Sequence, residues 1–254
     1  MEKFIQDITK KAGTAVLKQF RNVGVKYMKS DDLWDCVTQA DLDADRIIVS
    51  AIKKKYPSHG IISEESGEYY PDSEYVWIID PIDGTRNFAT HVPLFGTMVA
   101  LAHKGDVMLA AIDMPATNEF FFARAGKGAF LNGKRIHCTK TDTLSRSAGY
   151  GGSSLRHRTR KFLRNLVKSR TTKQTIIGSF ACCANQCYVA AGRADWVVSL
   201  SGKIWDFAPV SLILKEAGCT VTDVSGRPWT LNALEIVAAN PVLHKQLLKL
   251  TKGI

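Results

Sequence analysis

Residues 77–88 read Trp-Ile-Ile-Asp-Pro-Ile-Asp-Gly-Thr-Arg-Asn-Phe, and this stretch joins an apolar run to an acidic turn. The β-branched and aromatic run from Tyr75 to Ile79 predicts a buried strand, which Asp80-Pro81 should end because proline cannot donate to a strand ladder. We therefore expect Asp80 at a strand end. A sharp turn at Asp83-Gly84 would hold both carboxylates on one side, with the amides of Gly84 and Thr85 facing the same way.

Carboxylates in such a turn collect cations, and bare backbone amides collect phosphate. The stretch alone also fits a surface turn whose Asp side chains bond their own backbone. A second acidic site favours the metal, because residues 59–63 read as a short strand that runs straight into Glu64-Glu65. Unpaired carboxylates crowded at neighbouring strand ends repel one another, and a divalent ion would neutralise them.

Three separated motifs resemble the inositol monophosphatase family of metal-dependent phosphatases. They are Glu64-Glu65-Ser66, the stretch from Trp77 to Phe88, and Trp205-Asp206-Phe207-Ala208, in the family's order and across nearly the whole chain. The resemblance implies a layered αβαβα sandwich of mixed α+β and α/β type. It also implies a Mg²⁺-dependent phosphomonoesterase that acts on a small phosphorylated substrate, is inhibited by lithium and forms a homodimer.

The resemblance further assigns the metal ligands. Glu64, Asp80 and the Ile82 carbonyl would hold one Mg²⁺, while Asp80, Asp83 and Asp206 would hold a second, so that Asp80 bridges the two; the family uses two or three ions. Hard oxygen ligands without clustered His favour Mg²⁺ over zinc, with Mn²⁺ as a substitute. Without the resemblance, Asp206 would be interpreted as the N-cap of a helix that has Pro209 just inside its start.

Catalytic residues are implied in the same way. Glu64 and Thr85 would orient the attacking water, with Asp41 behind the Thr85 hydroxyl, and the amides of Gly84 and Thr85 would bind phosphate oxygens. The sequence alone offers another role for Asp41, because Thr38 and Asp41 have the spacing of a capping box at the start of a helix.

Substrate choice depends on weaker signals. The resemblance places Asp83, Gly84, Thr85, Gly178, Ser179 and Ser199 at the substrate. It favours inositol 1-phosphate, with histidinol phosphate or a fructose-1,6-bisphosphatase-like activity as alternatives. Phe180 and Ser199 depart from the inositol branch, since a small residue and a Glu are usual there.

The chain has 254 residues and a formal charge of +10. Its composition predicts an ordinary globular protein without a membrane span, and we expect it in the cytoplasm. Eight Lys or Arg fall between Arg156 and Lys173. With Phe162, Leu163, Leu166 and Val167 at helical spacing, this segment predicts a solvated helix face; nucleic-acid binding is the rival interpretation. The six cysteines have no zinc-site spacing and are interpreted as reduced, mostly buried thiols.

The order of patterns predicts two halves that share a cleft. Residues 1–142 would contain two amphipathic helices, around 4–20 and 41–56, and an antiparallel meander over 97–137. Residues 143–254 would be α/β and contribute Asp206. Their predicted elements are helices at 181–191 and 207–217 and strands at 196–200 and 220–223.

Overall fold

The computed structural model describes residues 1–22, 24–29, 36–151, 157–169, 175–180 and 182–254. The described residues form seven α-helices and fifteen β-strands. The helices are α1 (Glu2–Gln19), α2 (Gln39–Lys55), α3 (Thr85–Ala89), α4 (His157–Lys168), α5 (Ala184–Ala190), α6 (Ile204–Glu216) and α7 (Pro241–Thr251). The strands are β1 (Val25–Met28), β2 (Cys36–Thr38), β3 (Gly60–Ser63), β4 (Gly67–Tyr69), β5 (Tyr75–Asp83), β6 (Gly96–His103), β7 (Asp106–Met114), β8 (Glu119–Arg124), β9 (Gly128–Leu131), β10 (Lys134–Ile136), β11 (Ala148–Gly151), β12 (Ile176–Gly178), β13 (Trp196–Ser199), β14 (Thr220–Thr222) and β15 (Ile236–Ala239).

These elements stack in five layers, so the predicted αβαβα sandwich is confirmed. An eight-stranded sheet, in the order β10-β9-β8-β7-β6-β5-β3-β4, carries α1 and α2 on one face and α6 on the other. A five-stranded sheet, in the order β12-β11-β13-β15-β14, packs against α5 and α6 and carries α4 and α7 on its outer side. The central helix α6 buries every residue from Phe207 to Leu214, because both of its sides meet a sheet.

The predicted meander is also confirmed. Strands β5 to β10 pair antiparallel in sequence order, while β3 runs parallel to β5 and places Ser63 opposite Ile79. Glu64 therefore leaves β3 beside Asp80, which lies three residues before the end of β5. Both amphipathic helices form, and Asp41 accepts the backbone N–H of Thr38 at 2.8 Å, as the capping box predicts.

The expectation that β5 ends at Asp80 is wrong. The strand continues through Pro81 to Asp83, with a shift in register that places Asp80 opposite Met98 and Asp83 opposite Gly96. Proline is tolerated because it falls within this irregularity, where the ladder does not need its missing amide. The Pro81 carbonyl instead accepts the Thr97 hydroxyl at 2.8 Å.

The N-cap interpretation of Asp206 is wrong as well. Helix α6 begins at Ile204 with Lys203 as its N-cap, so Asp206 lies in the first turn and accepts the Lys203 N–H at 2.7 Å. Pro209 consequently lies three residues deeper in the helix than predicted. Its missing amide leaves the Trp205 carbonyl without the usual intrahelical partner.

Helix α4 carries the basic segment as a solvated face, with Phe162 and Leu166 buried against the second sheet. Val167 departs from the predicted apolar stripe, since it is 83% exposed. Arg156, Arg170, Lys173 and Ala181 lie outside the described residues. All six cysteines are reduced thiols, and five of them are buried.

Among the described residues no helix is both long and apolar enough to cross a membrane. The division after residue 142 falls between β10 and a single 3-10 turn at Leu144–Arg146, and it stays a prediction.

Candidate active site

Three carboxylates meet at one end of the larger sheet. Asp80 and Asp83 come from the last residues of β5, and Asp206 comes from the first turn of α6. One carboxylate oxygen from each lies within 4.8 Å of the others. Asp206 follows Asp80 by 126 residues in the sequence, and the packing of α6 across the sheet brings it to the two acids of β5.

Asp80 is the most buried member of this acidic cluster, at 1% exposure. Its Oδ1 atom has no hydrogen-bond partner among the described residues. Burial raises the pKa of Asp80 well above its usual range, and the charges of Glu64, Asp83 and Asp206 raise it further. An unpaired buried carboxylate is costly unless a cation approaches it, so this oxygen fits a site for a hard metal ion.

The other two acids are partly compensated by backbone amides. Burial raises the pKa of Asp83 to about 6, although the Cys183 N–H, which donates to Asp83 Oδ2, lowers it. Burial also raises the pKa of Asp206 to about 7, and the Asp83 charge adds to the effect. Near neutral pH a divalent cation would therefore compete with protons for this cluster.

Thr85 lies between Asp41 and the acidic turn. Its hydroxyl is 3.1 Å from Asp41 Oδ1 and 2.9 Å from the Ile82 carbonyl oxygen. The Thr38 hydroxyl donates to the other oxygen of Asp41 at 2.5 Å, and burial raises the pKa of Asp41 to about 6. Asp41 thus caps α2 and holds Thr85 with the same carboxylate.

Lys29 was not predicted as a site residue. Its ammonium lies 2.7 Å from Glu64 Oε1 and 2.7 Å from Glu65 Oε1, so it bridges both acids of the Glu64-Glu65 pair. Burial opposes the charge on Lys29, but Glu64 and Glu65 outweigh burial and raise the lysine pKa. The contact spans 35 residues of sequence, and no local pattern signals it.

Asp45 is a second residue that sequence reasoning missed. It is buried on α2, and its carboxylate accepts the hydroxyls of Ser63 and Ser66, which flank the Glu64-Glu65 pair on either side. Asp45 therefore holds the residues on both sides of the Glu64-Glu65 pair. Its position four residues after Asp41 on a helix is the only available sequence signal.

A cavity of about 170 Å³ opens beside the acids, and Asp83, Asp206 and Ser199 all line it. Ser199 and Ser179 also border an adjoining depression. Gly178 ends β12 in an exposed position and lines neither space. The structure thus brings Ser199 to the acids and does not bring Gly178 there.

Gly84 has a left-handed backbone conformation, with φ of 85°, immediately before α3. A Cβ at this position would also lie 2.8 Å from the Cβ of Cys182. Both the turn and the close approach of Cys182 therefore require glycine. Gln186 of α5 also lines the cavity, and no sequence pattern indicates its position.

Comparison with known proteins agrees with this architecture. A family model described as the inositol monophosphatase family matches residues 1–254. The fructose-1,6-bisphosphatase/inositol-1-monophosphatase of Thermotoga maritima is 37% identical over 220 residues, covering 87% of this chain and 84% of that protein. The putative Nus factor SuhB of Neisseria meningitidis serogroup B is 36% identical, covering 95% and 94%. A solved IMPase structure from Thermotoga maritima superposes with a TM-score of 0.88 at 33% identity, covering 98% of this chain and 95% of that one.

Proposed function

The chain belongs to the inositol monophosphatase family, which is a phosphatase family, and on this premise we propose that it is a Mg²⁺-dependent phosphomonoesterase acting on a small polyol phosphate. The observation that carries the proposal is the meeting of Asp80, Asp83 and Asp206 within 4.8 Å. Three carboxylates this close, one with an orphaned buried oxygen, need a cation to be stable as anions. Their all-oxygen donor set suits Mg²⁺ and admits Mn²⁺.

We assign the ligands as the family pattern places them. Asp80, Asp83 and Asp206 would hold one ion, and Glu64, Asp80 and the Ile82 carbonyl another. Bound Mg²⁺ would supply electrostatic stabilisation of the charge that develops on the transferred phosphate. The amides of Gly84 and Thr85 would add hydrogen bonds to phosphate oxygens at the start of α3.

Thr85 and Glu64 are the residues proposed to orient the attacking water. The contact from Thr85 to Asp41 supports this, because an acceptor behind the hydroxyl fixes its direction. In the described structure one oxygen of Glu64, Oε1, accepts the Lys29 ammonium at 2.7 Å. Thr85→Ser should retain much of kcat and Thr85→Val should lose most of it, with both variants folded.

The direct test is hydrolysis of a generic phosphate ester by the purified protein. Activity should require Mg²⁺, disappear with EDTA, and fall by at least about a hundredfold in Asp80→Asn, because the bridging charge is lost. Asp83→Asn and Asp206→Asn should each lose most of the rate while circular dichroism shows a folded protein. Full activity in EDTA, or in Asp80→Asn, would reject the proposal.

Inositol 1-phosphate is the first proposed substrate, ahead of histidinol phosphate and fructose 1,6-bisphosphate. Ser199 limits this preference, since it cannot offer the charged acceptor of the Glu that is usual in the inositol branch. A lost charge-assisted hydrogen bond costs about 1.5 to 3 kcal/mol, or about one to two decades of discrimination. A panel of esters compared by kcat/KM tests the order, and Ser199→Glu should raise the preference for inositol 1-phosphate.

Nucleic-acid binding is the second candidate function, and one surface favours it. Arg160, Arg164 and Lys168 follow one another at four-residue steps along the exposed side of α4. Arg158 and Lys161 are instead engaged by Glu235 and by the Gly253 carbonyl. RNA or DNA affinity should then depend on this stripe and survive physiological salt; affinity that vanishes at that salt would exclude a specific role.

We also propose for this chain the other properties that the family resemblance implies. We expect a homodimer in solution, measurable by light scattering, and inhibition by lithium in the phosphatase assay. The two halves, residues 1–142 and 143–254, are proposed to form the cleft between them.

A further inference from the structure

Gln186 lines the cavity with a buried side chain whose polar atoms are not all satisfied. It is 7% exposed on α5, and its side-chain carbonyl oxygen has no hydrogen-bond partner among the described residues. Buried amide groups in folded proteins are nearly always paired, so an orphan beside a cavity points to a missing ligand. The cavity that Gln186 lines is shared with Asp83 and Asp206.

Apart from Asp83 and Asp206, the residues that line this cavity are uncharged, and Cys182, Cys183 and Phe207 are among them. Apart from Gln186, the uncharged polar side chains of the lining belong to Asn185, Ser199 and Ser201. None of its described lining residues is a Lys or Arg, so this wall provides no cation for a second phosphate. Its volume of about 170 Å³ is below the range of about 300–1,000 Å³ of drug-sized pockets, which fits a small ligand.

We infer that Gln186 is a specificity-determining residue whose carboxamide oxygen accepts a hydrogen bond from a hydroxyl group of the substrate, in the part of the molecule that carries no phosphate. The inference rests on the proposed phosphatase function and names the feature its substrate must have. A hydroxyl both satisfies the orphaned oxygen and can be shared with Ser199 or Ser201. Gln186 thereby supplies from α5 the acceptor that a neutral Ser199 does not supply as a carboxylate.

The test compares two substrates that differ only in hydroxyl groups. Inositol 1-phosphate and cyclohexyl phosphate share a six-membered ring and a phosphate ester, and only the first has ring hydroxyls. We expect wild-type protein to prefer inositol 1-phosphate by kcat/KM, and Gln186→Leu to reduce that preference about tenfold or more, chiefly through KM. Gln186→Met is the second variant, because its unbranched side chain fills the same space without an amide.

Gln246→Leu on α7 is the matched control for loss of a glutamine amide, since Gln246 contacts Leu144 and Asp142 away from the cavity. A preference ratio that is unchanged in both folded Gln186 variants overturns the inference, and so does a wild-type enzyme that does not distinguish the two esters. Failure of the proposed function looks different, because hydrolysis of cyclohexyl phosphate itself would then not depend on Mg²⁺.

Discussion

At the scale of single residues, Lys29 pairs with Glu64 and Glu65, and this contact predicts that the lysine competes with a metal ion for Glu64. A metal ion that binds Glu64 Oε1 would displace the ammonium, which lies 2.7 Å from that oxygen. Partly exposed ion pairs contribute about 0.2 to 1 kcal/mol, which corresponds to a change of about one and a half- to fivefold in affinity. We therefore expect Lys29→Met to lower the Mg²⁺ concentration for half-maximal activity by about two- to fivefold.

The control for this prediction is Lys26→Met. Lys26 lies on β1, which ends one residue before Lys29, but its ammonium contacts Gln39 at 2.8 Å. A Mg²⁺ titration of all three proteins at constant ionic strength separates competition from a change in overall charge. An equal or higher Mg²⁺ requirement in Lys29→Met would show that the lysine does not compete.

Some residues of the candidate site could be predicted from the sequence, and others could not. Asp80 and Asp83 were predictable because a strand pattern, a turn signal and two acids lie within one short stretch, and Asp206 needed the family resemblance. Lys29 and Gln186 were not predictable. Each reaches the site through contacts set by tertiary packing, and neither has a local pattern that distinguishes it from an ordinary helix or loop residue.

At the scale of elements, α1 packs on β7 through an unusual contact between Gly13 and Asp113. A Cβ on Gly13 would lie 2.1 Å from Asp113 Oδ2, so the carboxyl group occupies the space that glycine leaves. Burial raises the pKa of Asp113 to about 7, although Lys10 lowers it. The folded protein therefore favours the protonated acid.

This contact predicts a stability effect of Asp113→Asn that depends on pH. A raised folded-state pKa means that the contribution of Asp113 to stability is complete below its ordinary pKa of 3.8 and is lost as the pH rises through about 7. Allowing for partial exposure, we expect the variant to be more stable than wild type by about 1 to 2 kcal/mol at pH 8. The difference should shrink towards pH 4.

Urea unfolding at several pH values measures this difference. Asp106→Asn is the matched control, since Asp106 is exposed at the other end of β7. If Asp113→Asn and wild type showed parallel pH profiles, the carboxyl group would not be buried as the structure places it.

Element boundaries were the weakest part of the prediction from sequence. The helices and strands that the patterns predict do form, because period-two and helical patterns are strong in β6, β7 and α1, but β15 and α7 were not predicted. The end of β5 was misplaced because proline stops a strand only where its amide is needed, and the register shift after Asp80 removes that need. The start of α6 was misplaced because an Asp can accept backbone amides from inside the first turn as well as from the N-cap position.

At the scale of the whole molecule, the acidic cluster links stability to metal. Asp83 and Asp206, with pKa values raised to about 6 and about 7, stabilise the metal-free fold below pH 3.8 and lose that contribution as the pH rises through 6 to 7. Mg²⁺ binds the deprotonated form, so its stabilising effect should be larger at pH 8 than at pH 5.

Thermal unfolding with and without Mg²⁺ tests this linkage. At a hundredfold excess over Kd, binding adds about 2.7 kcal/mol, which for a chain of this size raises Tm by roughly 5 to 10 °C at pH 8. The shift should be several degrees smaller at pH 5 and largely absent in Asp206→Asn. Equal shifts at both pH values would place Mg²⁺ elsewhere on the protein.

The burial of Asp80 with an unpaired oxygen also affects how this protein would evolve under selection for heat resistance or for catalysis. Removal of an unpaired buried charge commonly stabilises a protein, and sites arranged for chemistry often oppose the optimum for stability. In the absence of metal, Asp80→Asn should therefore unfold at a higher temperature than wild type. A library of variants selected only for heat resistance would accumulate neutral residues at position 80 and lose turnover, so durability and catalysis place opposite demands on the same side chain.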